Sequence, residues 1–155
     1  MFRSLITQVL VLVAVGAAVF GAFWGYSLFT KTTPEQRLAA LEKEVKPTGG
    51  QVYRTVLHGE PVTFLVLGCS VYLLDFSSDE VKRYKVLRAG DHYSLEECTG
   101  QAIWMDGGLL HVYLENRAIG AGGGNTSGGT YRSKDGLGWE KRTGSGWQSV
   151  AEAQH

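Results

Sequence analysis

The pattern of apolar and polar positions divides the chain into parts with different periods. Residues 1–31 are an almost continuous apolar run, residues 32–50 have helical spacing, and residues 51–150 alternate with a period of two. A tail of residues 151–155 follows. We predict a single N-terminal transmembrane α-helix joined to a small, mainly β domain of antiparallel strands, arranged as a sheet, a sandwich or a barrel-like fold.

The apolar run is long enough to cross a membrane. No charged residue lies between Arg3 and Lys31, and residues 5–29 as a helix would be about 37 Å long, against a hydrocarbon core of about 30 Å. A cleaved secretory signal has an apolar core of only about 7–15 residues and ends at a small-x-small site, whereas aromatic residues continue this run. We predict a retained helix in contact with the lipid bilayer. A cleaved signal peptide is the alternative.

One face of this predicted helix consists of small residues, and a GxxxG motif lies within it. A face of Gly and Ala gives a helix no advantage in contact with lipid tails, but it allows the backbone of a second helix to approach closely. We therefore expect other integral membrane subunits as partners. The predicted helix-packing face is formed by Ala14, Ala17, Ala18, Gly21, Ala22 and Gly25.

The orientation of the helix stays open because basic residues lie on both sides. Arg3 precedes it, and Lys31, Arg37, Lys43 and Lys46 follow it, so a simple count places the β-domain in the cytoplasm. A short basic tip before an apolar run also resembles an uncleaved signal anchor. We favour the second orientation, in the inner (cytoplasmic) membrane with the β-domain on the periplasmic side.

The two cysteines, Cys69 and Cys98, lie in strand-like sequence. A disulfide between them would require an oxidising compartment. Two buried free thiols are equally compatible with the sequence. No C-x-x-C motif is present, so thiol redox chemistry has little support.

Residues 32–50 are predicted to form a short amphipathic helix followed by a linker. Thr33 and Pro34 suit the cap and the first turn, and Pro47 ends the helix. We favour a spacer packed on its own domain over a helix on the membrane surface, since its apolar stripe is narrow. That stripe consists of Leu38, Leu41 and Val45.

From residue 51 onward, short runs rich in β-branched and aromatic residues alternate with turn sequences, as in an antiparallel sandwich, meander or small barrel. Residues 62–76 are the most apolar portion and should supply central strands. The predicted strands are QVYRTVL, VTFLVLG, SVYLLDF, KRYKVL, AIWM, LLHVYLE, TYRS and GWEKR.

A glycine-rich segment, residues 120–129, interrupts the strand pattern and predicts a flexible surface loop. It lacks the Gly-Lys-Ser/Thr and the following helix of a phosphate-binding loop. Because ordering glycines costs backbone entropy, contacts with a neighbouring subunit would be needed to order it. We predict an interface loop at Gly122, Gly123, Gly124 and Asn125.

The sequence Ser133-Lys134-Asp135-Gly136-Leu137-Gly138-Trp139 resembles the Asp-box hairpin of sialidase-type propeller blades, in its short S-x-D-G-x-x-W form. The resemblance implies that the Asp orders the turn and that the Trp packs beneath it. It covers one hairpin without the repeats of a propeller. It therefore predicts a structural β-hairpin and no glycosidase activity.

Composition narrows the function classes further. The 155 residues contain 15 Lys and Arg against 15 Asp and Glu, which gives no global field to attract nucleic acid. The four histidines are scattered without metal-ligand spacing, and no nucleophile motif is present. We predict no catalytic, cofactor-binding or metal-binding residues, no cofactor and no nucleic-acid partner.

Three functions remain. The first is a non-catalytic, single-pass accessory subunit that docks by its small-residue face and braces neighbours in a larger membrane complex; a respiratory or photosynthetic complex is a plausible host. The second is a membrane-tethered β module that binds a glycan or a peptide through aromatics such as Trp104, Trp139 and Trp147. The third is a membrane-anchored thiol or hydrolytic enzyme.

Overall fold

The computed structural model describes residues 32–89, 96–118 and 126–150. The predicted transmembrane segment, with its helix-packing face, and the predicted interface loop at residues 122–125 lie outside these ranges. Within them, no helix is both long and apolar enough to cross a membrane. A compact unit begins at Glu35 and contains every described strand.

The predicted mainly β, antiparallel domain is confirmed. It has a four-stranded sheet of order β1-β2-β3-β4 and a five-stranded sheet of order β5-β6-β7-β8-β9, so neighbours in each sheet are also neighbours along the chain. The strands are β1 Gln51–Leu57, β2 Glu60–Leu67, β3 Ser70–Asp75, β4 Lys82–Arg88, β5 Glu96–Asp106, β6 Leu109–Ala118, β7 Thr126–Ser133, β8 Glu140–Thr143 and β9 Gly146–Ser149.

One apolar cluster joins the two sheets, which makes the domain a sandwich. Strand β2 lies between β1 and β3, and its successive side chains point to opposite faces of the sheet, where they enter two different apolar layers. Phe64 and Val66 belong to the cluster between the sheets, whereas Leu65 belongs to a second cluster on the opposite face. All three are fully buried. The five-stranded sheet contributes mainly Leu110, Val112 and Leu114 from β6.

The helix α1, Pro34–Val45, covers the other face of the four-stranded sheet. Its stripe of Leu38, Leu41 and Val45 packs on β2 and β3. The Arg37 guanidinium donates hydrogen bonds to the carbonyl oxygens of Phe76 (3.3 Å) and Ser78 in the β3–β4 loop. The helix is therefore part of the domain's own packing, as the narrow stripe suggests.

A disulfide between Cys69 and Cys98 links the two sheets. Cys69 lies in the turn between β2 and β3, Cys98 lies on β5, and their Cα atoms are 5.4 Å apart. The Gln101 side chain adds a second link beside it, because its Oε1 accepts from the Cys69 backbone N–H (3.2 Å) and its Nε2 donates to the Gly49 carbonyl (2.5 Å).

The prediction of a loop over residues 120–129 is wrong at the C-terminal end of that segment. Strand β7 begins at Thr126 and pairs Gly128 and Gly129 with Glu115 and Leu114 of β6. A β-carbon at Gly128 would collide with the Leu114 carbonyl, and its φ is +108°. Glycine is thus required there by close backbone approach within a strand, which composition alone does not distinguish from a loop.

Two further strand predictions need correction. Strand β5 begins at Glu96, ahead of the predicted AIWM, and residues 146–149 form an unpredicted strand, β9. Both segments are rich in polar residues or glycine, so β propensity does not mark them. Their pairing comes from the neighbouring strands β6 and β8.

Candidate functional site

The outer face of the five-stranded sheet, which is turned away from the core, carries a row of aromatic and charged side chains. Trp104 on β5 lies opposite His111 on β6, His111 lies opposite Arg132 on β7, and Arg132 lies opposite Glu140 on β8. Paired residues point to the same face of a sheet. Trp147 on β9 joins this row, and we call Trp104, His111, Arg132, Glu140 and Trp147 the outer-face cluster.

Tight turns set the register that brings the cluster together. The two-residue turn Gly107–Gly108 joins β5 to β6, and both residues have positive φ, as hairpin turns of this length require. This turn fixes Trp104 opposite His111. The Asp-box turn between β7 and β8 fixes Arg132 opposite Glu140 in the same way.

The side chains of the cluster are in direct contact. The rings of Trp104 and His111 are stacked, with centroids 5.5 Å apart, and the Trp147 ring meets His111 edge-on at 6.0 Å. The Arg132 guanidinium carbon lies 4.3 Å from the Trp147 ring centroid, which is cation–π geometry. Arg132 Nε also pairs with Glu140 Oε2 at 2.6 Å. Each ring is therefore held by its neighbours.

The cluster stays accessible despite these contacts. Trp104 is 37% exposed, and so is Tyr113, which lies on the same face two pairs along the β5–β6 ladder. The Tyr113 hydroxyl donates to Glu115 Oε2 at 2.7 Å, and this hydrogen bond raises the pKa of Tyr113 above its ordinary value. Aromatic surface and hydrogen-bonding groups thus share one exposed face.

An open pocket of about 430 Å³ adjoins the cluster and shares Arg132 and Glu140 with it. Two cationic and two anionic side chains line it, so their formal charges cancel. The lining residues are Leu109, Arg132, Ser133, Lys134, Asp135, Gly138 and Glu140.

The Asp-box turn forms one wall of this pocket and has the geometry that the resemblance implies. Asp135 Oδ1 accepts hydrogen bonds from the backbone N–H groups of Leu137 (2.8 Å) and Gly138 (2.9 Å). These bonds hold the pKa of Asp135 below its ordinary value. The Ser133 hydroxyl oxygen accepts from the Gly136 N–H at 2.8 Å. The Asp135 carboxylate is thus occupied in ordering the turn.

Trp139 is not available to a ligand, contrary to its inclusion among the candidate binding aromatics. It is only 5% exposed and packs in the core between the sheets. Its indole N–H has no hydrogen-bond partner among the described residues. The Asp-box resemblance already predicts a Trp packed beneath the turn, and that expectation describes Trp139 correctly.

The other candidate residues do not assemble into a reactive centre. Both cysteines are used in the disulfide. His111 lies in the outer-face cluster and His58 lies in the β1–β2 turn, while His92 and His155 are outside the described residues. In residues 32–89, 96–118 and 126–150, no group of three or more His, Cys, Asp or Glu side chains is placed to hold a metal ion.

Sequence reasoning missed the charged and imidazole members of the cluster. His111, Arg132 and Glu140 belong to three different strands, and only the register brings them together. What they share is an outward-facing position in the alternation of their strand. This position can be assigned only when the buried residues of β6 are known.

Comparison of the chain with protein-family models, with curated proteins and with solved structures gives no match. The site's chemistry must therefore be inferred from its geometry. The site combines fixed indole rings, an Arg–Glu pair and a pocket whose lining charges cancel. This combination suits a ligand that has both apolar and hydrogen-bonding surface.

Proposed function

We propose that this protein is a membrane-tethered, non-catalytic binding protein whose β-domain holds a glycan or a peptide on the outer face of its five-stranded sheet. The observation that carries the proposal is the outer-face cluster, in which Trp104, Trp147 and Arg132 lie in mutual contact with His111. Trp, Tyr and Arg are the residues that most often dominate binding energy at recognition surfaces.

The difference between the two outer faces supports a binding role for this one. Helix α1 covers the outer face of the four-stranded sheet, whereas no described element covers the outer-face cluster. Large aromatic side chains left on an accessible sheet face are typical of a surface that meets a partner. The cluster's fixed rings also lose little conformational entropy on binding, which favours affinity.

Two observations favour binding over catalysis. Both carboxylates of the pocket are engaged, since Asp135 Oδ1 accepts from turn N–H groups and Glu140 Oε2 pairs with Arg132 at 2.6 Å. Cys69 is fully buried and bonded to Cys98, so the described residues present no thiolate nucleophile to the surface.

The disulfide supports a β-domain on the periplasmic side of the inner membrane. Disulfides persist in oxidising compartments and are rare in the cytosol. The sequence left both orientations open, and the Cys69–Cys98 bond favours the uncleaved signal anchor. In this topology the predicted helix of residues 5–29 holds the domain at the membrane surface, where it meets ligands of the cell envelope.

An accessory subunit of a larger membrane complex is the second candidate. It is favoured by the small-residue face of the predicted transmembrane helix, which includes Gly21 and Gly25 and suits a partner helix. In that case the outer-face cluster would meet a neighbouring subunit.

Photo-crosslinking in native membranes tests the binding face. The full chain carries p-benzoylphenylalanine in place of Tyr113, beside the cluster, or in place of Tyr84, a 50%-exposed aromatic on the four-stranded sheet. We expect a discrete adduct from position 113 and none from position 84. Equal labelling at both positions, or no adduct at 113, would contradict the proposal. An adduct at 113 that consists of an integral membrane subunit would favour the second candidate.

A further inference from the structure

We propose that the ligand is a neutral saccharide, which enters the pocket beside Arg132 and lies against the exposed indole surface of the outer-face cluster. This inference rests on the proposed binding function and specifies its ligand class. It is carried by the pocket's size, by the charge balance of its lining and by its continuity with the aromatic rings.

The pocket has the dimensions of a small-ligand site. Its volume of about 430 Å³ falls within the roughly 300–1,000 Å³ typical of such sites. It is open to solvent on one side, so a chain of linked rings can extend out of it. Because it shares Arg132 with the cluster, a ligand there also reaches the rings.

The charges around the pocket favour an uncharged ligand. Arg132 and Lys134 are balanced by Asp135 and Glu140. A phosphate or carboxylate group would be attracted by the two cationic side chains but repelled by the two carboxylates. A cationic ligand would be attracted by the carboxylates but repelled by the two cationic side chains. Hydroxyl groups both donate and accept, so they can bond to side chains of either sign, and hydrogen bonds to charged groups are the stronger ones.

The aromatic part of the site fits the apolar face of a sugar ring. The negative face of an indole attracts positively polarised hydrogens, which the C–H groups on one side of a pyranose supply. Trp104 keeps 37% of its surface exposed for such a contact. Stacking on His111 and the guanidinium on Trp147 fix the rings before the ligand arrives.

The same geometry disfavours an extended peptide. Peptides that add to a sheet use the free backbone groups of an edge strand. Arg132 and His111 lie on β7 and β6, each of which is paired with a strand on both sides. Trp104 and Trp147 lie on the edge strands β5 and β9, but their rings contact His111 and Arg132 over the face of the sheet, so the cluster meets a ligand mainly through side chains.

Calorimetric titration of the full-length protein in lipid nanodiscs tests the ligand class. The probes are cello-oligosaccharides, fully N-acetylated chito-oligosaccharides and malto-oligosaccharides, and detergents with sugar headgroups are avoided because they would compete. We expect at least one of these neutral oligosaccharides to bind. Trp147→Ala and Glu140→Gln should each weaken binding by about tenfold, the loss expected of a residue at the centre of a binding site. Tyr84→Ala, the control on the other sheet, should leave affinity unchanged.

Three outcomes would contradict the proposal that the ligand is a neutral saccharide. They are the absence of binding by every neutral oligosaccharide, tighter binding of an acidic oligosaccharide than of its neutral parent, and unchanged affinity in both cluster variants. Glu140→Gln keeps the shape of its side chain, so it remains informative if Trp147→Ala unfolds. A polypeptide adduct at position 113 without saccharide binding would overturn the ligand class alone. The absence of both would overturn the binding face as well.

Discussion

Gly136 lies directly against the ring of Phe64, so the tip of the β7–β8 turn is built into the core between the sheets. A β-carbon at Gly136 would clash with that ring, and the φ of +78° at this position disfavours any side chain. The Asp-box turn thus connects the core to the pocket wall. Its backbone cannot move without disturbing Phe64, which is fully buried.

Gly136→Ala should destabilise the domain by about 2–4 kcal/mol, since it combines overpacking with a left-handed backbone. The matched control is Gly138→Ala in the same turn, where the nearest atom to a new β-carbon is Asp135 Oδ1 at 3.8 Å. That change should stay within about 0.5 kcal/mol. Urea unfolding of the full chain measures both, and equal stabilities for the two variants would show that the turn is not wedged against the core.

The Asp135 carboxylate should make stability depend on acid pH. Its pKa is lowered in the folded state by the Leu137 and Gly138 N–H groups, so its contribution is complete above the unfolded pKa of about 4 and is lost as pH falls through the folded pKa. The gap in unfolding free energy between the wild type and Asp135→Asn should therefore be constant near neutrality and shrink in acid. A pH-independent gap would mean that ionised Asp135 does not stabilise the turn.

The sequence predicted the parts of the fold that depend on local patterns. Alternation in β2 and β3 marked the central strands, and S-x-D-G-x-x-W predicted both the turn at Asp135 and the buried Trp139. Strand β9 and the start of β7 escaped prediction because their neighbours, and not their own residues, make them strands.

The candidate site was less predictable than the fold. Trp104 and Trp147 were candidates by residue type alone, and only the S-x-D-G-x-x-W motif set Trp139 apart from them as a buried residue. Their association with Arg132 depends on the register of the five strands. A register shift of one residue would move the side chains of a strand to the other face of the sheet. Sequence reasoning therefore found the aromatics and missed the charged residues that accompany them.

Loss of the disulfide should weaken the sandwich. The Cys69→Ala, Cys98→Ala double variant removes the covalent link between the sheets, and losing a native disulfide from a small secreted domain typically costs about 2–5 kcal/mol. Urea unfolding gives this cost. As a check in native membranes, denatured wild-type chain should react with a thiol reagent only after reduction. Alkylation of both cysteines without a reductant would contradict the periplasmic orientation.

The predicted helix-packing face gives a test of the accessory-subunit candidate. If a partner helix binds there, Gly21→Leu and Ala17→Leu should each reduce recovery of membrane partners on mild-detergent purification, because each adds bulk where two backbones approach. Phe20→Leu, on the opposite face, is the control. Equal recovery with all three variants would remove the support for this candidate.

The most direct test of the binding face is an NMR spectrum of the full-length chain in nanodiscs, labelled with ¹⁵N at the tryptophan indoles. Cell-envelope extract, separated into saccharide and protein fractions, is added to it. The indole signals of Trp104 and Trp147 should shift, and that of Trp139, which is buried in the core, should not. Shifts confined to Trp139, or no shift at Trp104 and Trp147 with any fraction, would contradict a ligand site on the outer face of the five-stranded sheet.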